Sequence, residues 1–295
     1  MYRCYNKLST FAHDYYFCTM WLNRFYYVAF ITAIILLASC KDEKDKQSVS
    51  TEDKNAPKTI PPYVTEIQKK VSQYPDSASL RLQYVYALDS IAEFSTAITQ
   101  LDTLLKKDST NYGLWYAKGQ VAEDAKDTTS AIESYIRATR IYPSPDAQLA
   151  LANLYAEQKN NKALLICGRV KELGLGREYD ANSSFIAGVY YARTGNKEQA
   201  IKLFDDCIAN DYTHMPAYIE KGMVYFDNKQ YDEALKVFQF ASTVNTLYAD
   251  CYYYIARCYE MTGKKDSAIM KFQQALRLDK NSEETRAALK RLGAE

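Results

Sequence analysis

A small residue followed three positions later by an aromatic recurs at a fixed interval in the C-terminal half of this chain. Gly188 with Tyr191, Gly222 with Tyr225 and Ala256 with Tyr259 stand 34 residues apart. Ala200, Ala234 and Ala268 keep the same step, as do Phe204, Phe238 and Phe272. Apolar residues three and four apart call for helices, and a period of this length fits one helix–turn–helix hairpin. A hairpin cannot bury its apolar face alone, so the units have to stack. The spacing has a steric reason. Gly222 on a first helix and Ala234 on a second let two backbones approach closely, with Phe238 and Tyr225 expected to fill the volume between neighbouring hairpins.

Upstream the pattern continues with decay. Trp115, Gly119, Ala131, Tyr135, Ala138 and Pro143 repeat it, and Ala97 stands 34 residues before Ala131, with Phe94 and Leu101 around it. Between these blocks, Leu151, Ala152, Leu154, Tyr155 and Ala163 mark a hairpin whose turn is one residue short. Its tail, residues 171–179 with Gly174 and Gly176, is longer than usual, and the array is expected to bend there. Six units then span 78–282. A helix from Thr65 to Tyr74 ends at Pro75, two repeats before Pro143, and reads as a half-repeat within 62–77. Ser282 before Glu283 and Glu284 reads as the N-cap and acidic first turn of a capping helix in 283–295.

The order aromatic, small, Ala, aromatic, Ala, Pro resembles the tetratricopeptide repeat family, and the resemblance covers 78–282. It implies an all-α fold, a right-handed α-solenoid whose first helices line a concave groove. It also implies work done by gripping another protein chain, with no enzyme activity and no cofactor.

On each first helix the residues three before, one after and four after the small position should face that groove. The stripe gives Tyr86, Tyr116, Gln120, Leu149, Asn153, Phe185, Val189, Ile219, Met223, Tyr253 and Arg257 as the partner-binding residues. It is apolar in the middle and polar at its ends, and an exposed apolar stripe marks a binding site. Chaperone-binding members of the family hold a C-terminal carboxylate with lysines and asparagines. Here Asn153 alone resembles such a position and no lysine lies on the stripe, so an apolar or amphipathic segment of a protein is the expected partner.

The N-terminus reads as an address. Residues 25–38 are an apolar run behind Arg24, shorter than the roughly 20 residues a spanning helix needs. With Ser39 and Cys40 behind it, the run is a secretory signal peptide over 1–39. Leu37-Ala38-Ser39-Cys40 resembles the bacterial lipobox, which implies lipidation (palmitate) at Cys40 and a membrane held through that anchor. Residues 1–19 make the leader overlong, so translation is expected to begin at Met20. A polar tract over 40–61 has too few apolar residues to fold and reads as a tether, reaching roughly 25 Å. Lys41-Asp42-Glu43 behind Cys40 resembles the export signal of surface lipoproteins in Bacteroidetes-type bacteria. The expected location is the cell outer membrane, periplasmic or surface face.

Charge excludes one class of partner. With 37 basic against 36 acidic residues and a net charge of +1, the chain has no surplus to displace counterions from nucleic acid. Catalytic and metal motifs are missing too: His214 is alone in a loop and is expected to be solvated, and no Cys/His set has zinc spacing. Cys167, Cys207, Cys251 and Cys258 read as small packing residues, a Cys207–Cys251 pairing staying open. The 27 tyrosines among 295 residues suit packing and a groove alike. The reading is a lipid-anchored adaptor of the bacterial envelope. The alternative is a nutrient-binding lipoprotein resembling the SusD class, which requires long insertions that units of 34 leave no room for.

Overall fold

Each 34-residue period closes into one antiparallel helix pair. The computed structural model describes residues 60–294, which form fourteen α-helices and no strand. The expected signal peptide, Cys40 and the polar tract as far as residue 59 lie outside the described residues. First comes α1 (Pro62–Gln73). The six hairpins follow: α2/α3 (Ala78–Asp89, Phe94–Lys107), α4/α5 (Tyr112–Asp124, Thr128–Ile141), α6/α7 (Pro145–Glu157, Lys162–Glu172), α8/α9 (Arg177–Thr194, Lys197–Asn210), α10/α11 (Met215–Asp227, Tyr231–Val244) and α12/α13 (Ala249–Met261, Lys265–Leu278). The last helix is α14 (Glu283–Arg291). Helix α1 starts three residues before the expected Thr65, because a proline in the first turn loses no hydrogen bond and is preset in φ.

The turns inside the hairpins share one backbone solution. Each holds a residue in the left-handed region: Ala92, Lys126, Lys159, Gly195, Lys229 and Gly263. Four of the six are not glycine, although that conformation strains a residue with a Cβ. The third of these residues follows the second by 33 positions and the fourth follows the third by 36. The irregularity around residues 160–179 is therefore a shift in turn register. Side-chain caps from Ser77, Asn111, Asp127, Ser144, Asn196 and Ser282 each take up a free amide at a helix start.

The turns between hairpins are tied by a second recurring device. A long donor on a first helix, or on the end helix α14, reaches back six residues to a loop carbonyl: Arg81 to Pro75, Trp115 to Ser109, Tyr218 to Tyr212, Tyr252 to Thr246 and, from α14, Arg286 to Lys280. Gln148 does the same to Pro143, five residues back. Each bond satisfies a carbonyl that the loop would otherwise leave to water.

Packing inside a hairpin rests on a missing side chain. A Cβ built on Gly188 would lie 2.7 Å from the Phe204 ring, and at Gly119 and Gly222 it would meet Tyr135 and Phe238 closer still. Phe238 therefore sits inside its own hairpin over Gly222, not chiefly between hairpins as the spacing alone suggested. Its ring also stacks on Tyr254 of the next hairpin, centroids 5.1 Å apart and nearly parallel. The first hairpin solves the same joint with Val85 and Leu101, both fully buried.

Around residues 160–179 the stack changes form. Helix α7 has 11 residues where every other second helix has 14, and α8 has 18. The long α8 packs directly on α6 as well as on α7. One apolar core then runs unbroken from Ala122 to Val224. Smaller separate cores serve the two ends.

Cys167, Cys207, Cys251 and Cys258 are buried free thiols, so the Cys207–Cys251 pairing is not made. Burial pushes each thiol up to about 12. With Cys4, Cys18 and Cys40 replaced by serine, the native protein should not react with an aqueous disulfide reagent at neutral pH. Denaturant should release all four thiols together with unfolding; prompt reaction of any one in the native state would contradict this packing. No described helix is long and apolar enough to cross a membrane.

Candidate functional site

The first helices of the hairpins, α2, α4, α6, α8, α10 and α12, carry the stripe expected to line the groove. Tyr86 and Gln120 are exposed, and Tyr116, Asn153, Phe185, Ile219, Met223, Tyr253 and Arg257 are half-buried. Two residues have to be withdrawn. Leu149 is 6% exposed and Val189 1%, and both belong to the continuous central core. They are consumed where α6 and α8 meet directly, so neither is available to a partner.

The middle of the face is consequently not apolar. Arg193 on α8 spans it, donating from Nε to Glu157 Oε2 on α6 at 2.8 Å and from Nη1 to Glu220 Oε2 on α10 at 2.9 Å. Nη2 completes both forks at 3.0 and 2.9 Å. Three successive first helices are held by this guanidinium, and the two carboxylates, Glu220 foremost, keep it charged. The stripe rule missed Arg193 because it lies five residues after Gly188, one beyond the last position considered. Glu157, five after Ala152, was the available signal.

Beside this bridge lies a cavity of about 400 Å³, lined among others by Lys159, Arg193, Lys197, Glu220, Met223 and Asp227. Met223 forms its apolar wall together with Ala192 and Val224. Lys197 hydrogen-bonds Gln230 and lies 5.6 Å from the centre of the Tyr225 ring.

Toward the C-terminal end the apolar character survives. Ile219, Met223 and Phe226 pack on one small core. The Arg257 guanidinium lies over Phe226 at 5.4 Å and over Tyr253 at 6.0 Å, and donates to the Tyr253 hydroxyl at 3.2 Å. Its Nε is buried without a hydrogen-bond partner, 3.6 Å from Glu260. From the end helix α14, Arg291 clasps Glu260 with two bonds of 2.9 Å. A further cavity of about 160 Å³ opens between α12 and α14, its lining including Asp250, Tyr253, Tyr254, Asp279 and Glu284.

At the other end the face is acidic. Glu123 accepts the Tyr135 hydroxyl at 2.8 Å, and Asp146 accepts that of Tyr179 at 3.1 Å. Burial pushes the Tyr116 phenol up to about 12, with Asp146 adding to the effect. Burial and then Asp124 hold the Asp89 carboxyl above its ordinary range.

His214 departs from expectation. The ring is partly buried, 4.8 Å from that of Phe185, and its Nδ1 is enclosed without a partner. Burial favours the neutral imidazole against a weaker opposing pull from Asp211. Phe185 is accordingly half covered by its own neighbours, Phe204 among them at 6.0 Å. Among the described residues no group of three His, Cys, Asp or Glu side chains could hold a metal ion.

Comparison with known proteins bears on this geometry. Tetratricopeptide repeat family models match residues 214–281 and, in two overlapping stretches, 86–144 and 116–163. The barley protein described as probable UDP-N-acetylglucosamine–peptide N-acetylglucosaminyltransferase SPINDLY is 25% identical over 167 residues, 55% of this chain and 18% of its own. Human DnaJ homolog subfamily C member 7 is 22% identical over 200 residues, 66% of this chain and 36% of its own. The chain thus spans well under half of either relative. Among solved structures, a tetratricopeptide repeat protein from Parabacteroides merdae superposes with a TM-score of 0.66 at 15% identity, covering 78% of this chain and 91% of that one. PilW, a type IV pilus biogenesis factor, gives 0.58 at 17% identity, covering 72% and 97%. Yeast Tom70 gives 0.54 at 15% identity, covering 78% and 57%. At such identities these likenesses establish the fold alone.

Proposed function

We propose that this chain, which carries tetratricopeptide repeats, is a non-enzymatic adaptor that holds a segment of another protein against its first-helix face. One observation carries the reading: Ile219, Met223 and Phe226 stand half-buried on one small core, Met223 lining an open cavity, with half-buried Tyr253 of the next hairpin joined to Phe226 across the Arg257 guanidinium. Residues that only served the core would be closed over, as Leu149 and Val189 are. The segment is amphipathic, resting apolar side chains on α10 and α12 and polar ones on the charged remainder.

The adaptor works tethered in the bacterial envelope, at the outer membrane, through a lipid on Cys40. The apolar run over 25–38 and the Leu37-Ala38-Ser39-Cys40 sequence support this part. The nutrient-binding alternative draws nothing from the fold, since no connection between described helices exceeds four residues and a glycan site would need inserted loops.

A photo-crosslinking residue placed at 223 or 253 in cells, with 270 on α13 as control, tests the reading. One envelope protein captured from both groove positions and not from 270 is the expected result. Capture of nothing at 223 and 253, together with thermal stabilisation by glycans, would sink the adaptor. The Cys40→Ala form should leave the membrane fraction; persistence there would remove the lipid anchor from the account.

A further inference from the structure

The adaptor reading leaves open what the held segment is made of, and the distribution of charge along the face addresses it. The arginines there are already committed: Arg193 to Glu157 and Glu220, Arg257 and Arg291 to Glu260. Cations on the early first helices reach to second helices instead, Arg81 to Gln100 and Lys118 to Asp102. Carboxylates remain that no cation pairs. Asp89 stands against Asp124 at one end of the face, and its Oδ1 is enclosed without a hydrogen-bond partner. At the other end Asp250, Asp279 and Glu284 share the 160 Å³ cavity whose walls are the rings of Tyr253 and Tyr254.

We infer that the segment held by this face is basic as well as apolar, its lysine or arginine side chains seated on these carboxylates and its apolar side chains on Ile219, Met223 and Phe226. This rests on the adaptor reading and narrows it. Charge complementarity is the argument. The chain as a whole is almost neutral at +1, and carboxylates without cations are a local surplus at the two ends of the face, while Lys159 and Lys197 stand at its middle. Tyrosine rings beside them add an attractive surface for a cation.

The free protein shows the cost of leaving these sites empty. Asp89 is held above its ordinary range by burial, then by Asp124. Asp250 is raised by burial, then by Asp279 and Glu284. For a carboxyl raised in this way, the folded state is penalised where the group is ionised, and the penalty lifts as pH falls through the folded value toward 3.8. A bound cation offsets the same penalty at neutral pH. Affinity for a basic segment therefore drops in acid, as these two carboxyls take up protons. Other charged groups on the packed elements are Glu123 on α4, Glu283, Arg286 and Arg291 on α14, and Arg257 on α12. Beyond burial, the charges that act on the two are Asp124 at Asp89, and Asp279 and Glu284 at Asp250.

Three labelled peptides of about 30 residues, about 45 Å long as a helix and so able to run along successive first helices, serve as probes. All carry the same leucine pattern, and lysine, glutamine or glutamate fills the polar positions. Titrated into the full chain at neutral pH and about 50 mM salt, the lysine peptide should bind about tenfold more tightly than either other, with the gap shrinking at about 300 mM. The D89N/D250N form should bind it severalfold more weakly while melting no lower than the parent, a combination that mere unfolding cannot give. Equal binding of the lysine and glutamine peptides, or preference for glutamate, would overturn the charge inference and leave the adaptor standing. Binding of none would also overturn it, and the crosslinking at 223 and 253 then decides the adaptor separately.

Discussion

Replacing Phe238 with alanine is expected to lower the unfolding free energy by about 3–5 kcal/mol, the range for emptying a large aromatic from a core. The ring is fully buried, and little around it can move in to fill the space. Below it lies Gly222, which has no side chain to offer, and beside it Tyr254 is already stacked. Two hairpins share the ring, so its loss weakens both a hairpin and the interface to the next. Phe240, two residues along the same helix, is 58% exposed and provides the internal comparison: its alanine variant should stay within about 0.5 kcal/mol of the parent. Urea unfolding followed by circular dichroism reads both. Similar midpoints for F238A and F240A would show that the ring is not the joint described.

Gly222→Val carries the second large effect, and its sign is the test. A glycine inside a helix costs about 1 kcal/mol relative to alanine, so filling position 222 would help if space allowed. The Phe238 ring occupies that space, and the variant should instead lose about 1–3 kcal/mol through overpacking. The first hairpin supplies the remedy in its own sequence. Val85 and Leu101 stand at the same separation as Gly222 and Phe238, and both are fully buried. Adding Phe238→Leu to Gly222→Val should therefore recover most of the loss, a coupling that a double-mutant cycle measures. If the double variant is no more stable than G222V alone, the two positions are not one steric unit.

That exchange also shows why the fold was readable in advance. The pairs Gly119 with Tyr135, Gly188 with Phe204 and Gly222 with Phe238 leave a mark in residue size that repeats with the hairpin. The first hairpin levelled the sizes, with Val85 and Leu101 in place of a glycine and a ring, and so lost the mark; it was recognised only through Ala97 and its neighbours. The turns were harder. Four of the six left-handed positions hold Ala or Lys, where a glycine would have been the signal. The face was read least well, because a stripe rule assumes that every first helix turns the same side outward. Where α6 and α8 touch, that assumption fails, and Leu149 and Val189 go inside. Arg193 lay just outside the rule, and pairing across helices is invisible to a pattern counted along one helix. His214, alone in a loop, gave no hint that Phe185 would shelter it.

The unbroken core from Ala122 to Val224 bears on how such a molecule yields under load. A row of identical repeats can shed units singly from either end. Here the stretch with the poorest repeat spelling is fused to its neighbours by α8, and the guanidinium of Arg193 fastens it again across the surface. Tension applied at the two ends of the helical array would peel the outer hairpins first. The central block would resist as a single mechanical body, and it is the part that a pull disturbs last.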